Sequence, residues 1–318
     1  PRYAEVKSKL LADDSTPTAT RTAVLRFLDD PALFLDVVAP LTSPGKDPAL
    51  RLEAVRTLAR IATPESAQAL LRLAFDPANP ASLRAEAAFG LTYQTEEVTA
   101  ALIRLLEDQD AAVRVEAARA LRSKSLSDAH LTSLRTLRAR LPDSAPTALV
   151  QQLALILAPS NTDTEHPQSV ATWLATLAER PGDAQKGRRV FFSPQAQCMA
   201  CHVVDNLGGI IGPNLTNIGA SKTREQLIRA ILEPSAEIAP DWQGWFVTTT
   251  DGQTHYGRQI DVKGETSVEL MNLSGEFDHF ENAISWGVSE SSLMPDGLEN
   301  TLTRHDFADL IAYLESLN

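Results

Sequence analysis

No apolar run in this chain approaches the roughly 18 residues of a membrane-spanning helix, and its opening stretch, PRYAEVKSKLLADD, has no signal-peptide core. Because it also starts without methionine, the chain reads as a mature protein or as a piece of a longer one. Basic residues are in deficit: the net charge is -12, which makes nucleic acid a poor partner, since such binding depends on neutralising phosphates. Phosphate loops, nucleophile motifs and paired catalytic carboxylates are missing too, which argues against an intrinsic hydrolase or transferase. Scarcest of all is cysteine. There are two, Cys198 and Cys201, three positions apart in QCMACHVVDNLGGIIGPNLTNIG.

What is present is an ordinary folding composition, 43% hydrophobic and 22% charged over 318 residues, long enough for two domains. Charge is unevenly spread. Residues 1 to 181 carry 20 Lys and Arg against 22 Asp and Glu, whereas 182 to 318 carry 9 against 19. The C-terminal part is therefore acidic, either as a solvated face or as a docking surface for a basic partner.

The first half repeats itself. RLEAVRTLAR, RAEAAFGLTY and RVEAARALRS align without gaps, superimposing Arg51, Arg84 and Arg114, then Glu53, Glu86 and Glu116, then Ala54, Ala87 and Ala117, then Leu58, Leu91 and Leu121. Second amphipathic runs, ESAQALLRLAF and TEEVTAALIRLLED, lie between them at helical spacing. Each unit is thus helix, turn, helix, with alanine permitting close approach and leucine filling the seam. The pattern resembles HEAT repeats, which implies an α-solenoid whose neighbours stack to bury their apolar faces. APTALVQQLALILAP and SVATWLATLAER read as degenerate or capping repeats, so the helical repeat domain is expected to span 1–180. A docking or spacer role is expected of it, for His130 and His166 stand alone and no catalytic cluster is present. Pro181 and Gly182 then end the last repeat helix, and a second domain is expected over 181–318.

Cys198, Met199, Ala200, Cys201 and His202 spell C-x-x-C-H. A disulfide across so short a loop gains little. A thioredoxin-like pair requires a βαβ context that the helical upstream segment does not supply. A structural zinc site requires two further ligands at tight spacing, and His255, His279 and His305 are scattered singly. Covalent attachment of a c-type haem is the reading that uses all three residues: two thiols add to the vinyl groups and the adjacent histidine supplies an axial nitrogen.

The following GPNL, residues 212–215, resembles the loop of class I cytochromes c. That resemblance implies that the Pro213 carbonyl accepts the Nδ1 proton of His202 and leaves Nε2 for iron. It also implies a haem surrounded by Gly212, Pro213, Leu215, Ile218, Leu227 and Ile231, and an N-terminal helix with Gly187 and Phe191 crossing a C-terminal helix through Leu310, Tyr313 and Leu314. Of the three methionines, Met199 lies between the thioether cysteines and Met271 reads as a strand residue. Met294, in a loop ahead of the last helix, matches the class I position for the sixth ligand, with His255 or His279 as the alternative. Between the third helix, KTREQLIRAILEP, and that loop, β-branched and aromatic residues with D-G, K-G-E and S-G-E turns indicate an inserted antiparallel meander of three or four strands, about 242–284. The expected fold is mainly α: helical repeats followed by a class I cytochrome c-like domain with a small β insertion.

Taken together, GRRVFFSPQAQCMACH, GPNLTNIGASKTREQLIRAILEPSAEI, the tryptophan strand pair and SLMPDGLENTLTRHDFADLIAYL resemble the haem-binding domain family described from Pirellula- and Verrucomicrobium-type bacteria, over essentially 181–318. Members of that family are often fused to HEAT repeats and, further upstream, to a propeller-type sugar or alcohol dehydrogenase domain. The resemblance implies a periplasmic electron carrier with one haem c, held by Cys198 and Cys201, with His202 and Met294 on the iron. It further implies a dehydrogenase donor, fused or separate, and a downstream acceptor. A haem-based sensor or peroxidase-like enzyme with a displaceable sixth ligand is the alternative. Trp242 and Trp245 could reach a haem propionate, although packing over the insert is the simpler role.

Overall fold

A computed structural model describes residues 2–28, 30–158, 167, 169–264 and 266–318. The chain is mainly helical, with one antiparallel sheet near the C-terminus, and divides into two compact units, Pro1–Asp163 and Thr164–Asn318. No helix among the described residues is long and apolar enough to cross a membrane.

In the first unit the three aligned motifs fall on helices Pro48–Ile61, Ala81–Gly90 and Ala111–Leu121. These pack side by side, and Ala54, Ala87, Ala117, Leu58, Leu91 and Leu121 are completely buried. Asp47 and Asp110 accept hydrogen bonds from the first free backbone amides of two of these helices, which fixes where they begin. The recurring glutamates are buried as well, and burial of a carboxylate is tolerable only with a partner. Arg56 supplies one between neighbouring motifs, lying 3.2 Å from Glu53 and 3.1 Å from Glu86, while Arg119 lies 2.8 Å from Glu116. Two of the recurring arginines bond to the turn that leads into the next motif: Arg51 donates to Asn79 at 2.5 Å, and Arg84 pairs with Asp108. His130 sits in the first turn of helix Asp128–Arg140, where its Nδ1 accepts the Ser127 amide proton in a capping box. His166 lies outside the described residues.

The unit boundary differs from the expected one. Helix Val170–Glu179, read from sequence as a capping repeat, packs within the second unit: fully buried Trp173 stacks on Phe307 with ring centroids 4.2 Å apart. An amphipathic helix seeks any complementary apolar surface, and Phe307 of the last helix offers a ring of matching size.

Two helices frame the second unit. The opening helix, Ala184–Phe191, is capped by Asp183, and the closing helix, Arg304–Glu315, by a Thr303–Asp306 box. They cross in contact. A Cβ placed on Gly187 would lie 1.8 Å from the Asp309 carbonyl oxygen, so only glycine allows this approach. Phe191 packs against Tyr313 across the crossing, beside buried Leu310 and Leu314. Gly187→Ala is expected to destabilise the unit by about 3 kcal/mol, the upper range for overpacking a core, read as a lower urea midpoint by tryptophan fluorescence. A shift within about 0.5 kcal/mol, the ordinary range for surface substitutions, would show that the crossing is not tight. The third helix, Arg224–Leu232, joins the closing helix through a bidentate Arg224–Glu315 pair at 2.9 Å.

The inserted sheet has five strands, not three or four: β1 Trp245–Thr249, β2 Thr254–Lys263, β3 Ser267–Met271, β4 Phe277–Phe280 and β5 Ala283–Val288. All neighbours are antiparallel, in the order β4-β3-β2-β1-β5. Gly252 and Gly275, at φ +81° and +80°, provide the left-handed residues of the β1–β2 and β3–β4 turns. The corner between β4 and β5 is Glu281–Asn282, with neither glycine nor proline, which is why the fifth strand escapes a reading based on turn residues and the insertion extends to 288. Val247, Val268, Leu270 and Ala283 form the small core of the sheet.

Candidate haem-attachment site

The two cysteines occupy a single helical turn, Cys198–Cys201, entered through Gln197 in the left-handed region at φ +58°. A spacing of three places both thiols on one side of that turn. They are not joined to each other. Burial, reinforced by the neighbouring Cys201, pushes the Cys198 thiol up to about 12, and burial raises Cys201 as well. Both sulfurs therefore stay protonated in this environment until they react.

The chain then folds back onto the turn. Gly209 donates its amide to the Met199 carbonyl at 2.8 Å, Gly212 to that of Cys201 at 2.9 Å, and Leu215 to that of Val203 at 2.8 Å. Asp205 and Asn206, both at positive φ, make the reversal between bridged Val204 and Leu207. Gly209 has to be glycine for the return to lie so close, because a Cβ there would sit 1.9 Å from the Ala200 oxygen. The consequence is at His202, whose Nδ1 lies 2.9 Å from the Pro213 carbonyl oxygen. Since that oxygen can only accept, Nδ1 carries the proton and Nε2 keeps its lone pair. Burial lowers the basicity of this histidine, opposed in part by the bond to Pro213, so the ring is neutral at physiological pH. Gly212 leaves room for the ring: a Cβ there would be 2.7 Å from its Cε1.

Two unbridged thiols on one turn, a neutral histidine with a free Nε2 and a glycine cradle beside its ring suit the covalent and axial bonds of a haem c. Zinc fits less well, since among the described residues no group of three or more His, Cys, Asp or Glu gathers to hold a metal ion.

The remaining candidate residues fall into three groups. Leu227 and Ile231 are buried on the third helix, while Leu215 and Ile218 are half-buried near the returning loop. Met294 is half-buried in a loop fastened at both ends: Ser292 donates its amide to Ser235 Oγ at 3.1 Å, just past the third helix, and Thr301 Oγ1 donates at 2.8 Å to the carbonyl of Gln195, three residues before Cys198. The competitors are occupied elsewhere. Met271 is buried in β3, His255 packs against the Phe280 ring, and His279 Nδ1 lies 2.8 Å from Glu269.

Sequence reasoning missed Arg258. It reaches from β2 to donate to the Ile210 carbonyl at 3.1 Å, with its guanidinium 4.7 Å from the centre of the Trp242 ring, and so ties the inserted sheet to the returning loop. Trp245 stacks on Trp286 at 6.0 Å. Beside GPNL, the G-G pair at 208–209, a mark of close backbone approach, is the sequence signal that this loop packs tightly.

Helices crossing around a C-x-x-C-H turn with a returning G-P-N-L loop define a haem-attaching domain of the cytochrome c kind. Residues 184–261 match the family model for cytochrome c, so this part of the chain is a cytochrome c domain, which supports covalent haem binding and a role in electron transfer. The match ends inside β2, before the Met294 loop and the closing helix. No curated protein matches the chain.

Proposed function

We propose that the chain is an exported, periplasmic electron carrier in which Cys198 and Cys201 hold one haem c and His202 and Met294 occupy its two axial positions. The observation that carries the reading is the His202–Pro213 hydrogen bond beside the cysteine turn, which presents a neutral Nε2 where iron needs a ligand. Haem c supplies a one-electron couple. The chain's own residues orient His202 and, through the Ser292–Ser235 and Thr301–Gln195 bonds, hold Met294 in place. A thioether ligand favours the reduced state, which suits a carrier that takes electrons from a sugar or alcohol dehydrogenase, fused upstream or separate. The stacked N-terminal units, with their recurring Arg–turn and Glu–Arg bonds, support a HEAT-like solenoid acting as a docking or spacer arm, followed by the cytochrome domain over about 181–318, against which helix Val170–Glu179 packs.

The direct test is the optical spectrum of the matured protein, oxidised and then dithionite-reduced. A low-spin haem that resists acid–acetone extraction and shows the weak ferric absorption of methionine–iron ligation is the expected result. A high-spin spectrum without that band would instead favour the sensor or peroxidase-like alternative.

A further inference from the structure

We propose that the turn between β3 and β4, together with Ile210 of the returning loop, forms the face on which a redox partner docks, and that the partner's contact surface is apolar at its centre and rimmed by lysine and arginine. This rests on the electron-transfer reading above. Ile210, Leu273 and Phe277 are 54%, 53% and 54% exposed. Single exposed hydrophobic residues are commonplace, but these come from separate segments that meet. A Cβ built on Gly275 would lie 3.9 Å from Ile210 Cγ1, and Arg258, which holds the Ile210 carbonyl, shares its register with Met271 and Phe277 across β2, β3 and β4.

The turn is rigid. Asn272 Oδ1 accepts the amides of Ser274 at 2.9 Å and Glu276 at 3.1 Å, its own amide donates to the Glu276 carbonyl at 2.8 Å, and its Nδ2 donates to Asp278 at 3.1 Å. Leu273 and Phe277 are thus presented at little entropic cost to a partner. The face also adjoins the attachment turn, because Gly209, next to Ile210, is bonded to Met199 between the two cysteines.

Charge selects the occupant. Residues 242–290 contain Arg258 and Lys263 as their only cations against eight carboxylates. Arg258 is committed to Trp242 and Ile210, and Lys263 lies 3.4 Å from Asp261. Exposed Glu276 stands next to Phe277. So acidic a segment attracts a cationic protein and repels a second copy of this acidic chain.

The test is stopped-flow electron exchange between the haem-loaded full chain and a small lysine-rich cytochrome c as probe, with hexacyanoferrate(III) as an acceptor that needs no protein contact. The double substitution Leu273→Ser, Phe277→Ser and the separate Ile210→Ser are each expected to slow the protein reaction about tenfold at low salt. Glu276→Lys should slow it several-fold and flatten its salt dependence, as removal of a rim charge does. Midpoint potentials should be unchanged, and in the apolar variants the hexacyanoferrate rates should stay within about twofold of the parent, well short of a contact loss. Protein rates that do not change in the three apolar substitutions would overturn the proposal, as would a parent that sediments as a dimer through this face. A parent inert towards hexacyanoferrate as well would show instead that the electron-transfer reading had failed, and the docking proposal with it.

Discussion

With Cys198 and Cys201 both replaced by serine, the chain made in cells that mature c-type cytochromes is expected to lose its haem stain on a denaturing gel entirely. The chain has no other cysteine to take over, and a serine hydroxyl does not form a thioether. Each single substitution should leave one attachment and a stained band of lower yield. The gel is the decisive readout because denaturation releases a haem held only by His202 while a covalently held one stays. Stain that persists in the double variant would mean that attachment does not run through this turn, and the turn's half-buried, unbridged thiols would need another explanation.

The second large effect is expected at Met294. In Met294→Ala the reduced protein should bind carbon monoxide, which the parent should not, and the ferric absorption of methionine–iron ligation should vanish. The midpoint potential should fall by at least ~59 mV, a tenfold change in a one-electron equilibrium, because loss of the thioether removes the ligand that favours the reduced state. Met271→Leu is the control. Met271 is buried in β3 and nearly matched in volume by leucine, so its loss should cost less than about 1.5 kcal/mol and leave the spectrum alone. If the parent already binds carbon monoxide, or if Met294→Ala changes neither spectrum nor potential, Met294 is not the ligand.

Local constraints were legible in the sequence. Cysteines three apart with a histidine at the next position lie within one turn wherever the chain goes, so the candidate attachment turn could be written down from five letters. The same holds for the alanine and leucine positions of the repeated helices, where helical periodicity alone decides which residues share a face. Capping residues such as Asp47, Asp110 and Thr303 announce helix starts for a similarly short-range reason.

Contacts between distant segments were not legible. That helix Val170–Glu179 belongs with the second unit depends on Trp173 meeting Phe307, 134 positions away; amphipathicity says that a helix will be covered, not by what. Glu86 is a second case: its partner Arg56 comes from the preceding motif, 30 positions away, whereas Glu53 and Glu116 meet Arg56 and Arg119 within their own helices. Arg258 gave no signal at all, because its meaning lies in the carbonyl of Ile210, 48 positions away. The sequence by itself determined the chemistry of the attachment turn and the periodic helices, since both are set within a few residues. Only the tertiary structure decided which helix joined which unit, that the insert has a fifth strand, and which side chains brace the haem-attaching loop, because those outcomes depend on shape and charge meeting between parts of the chain that carry no mark of each other.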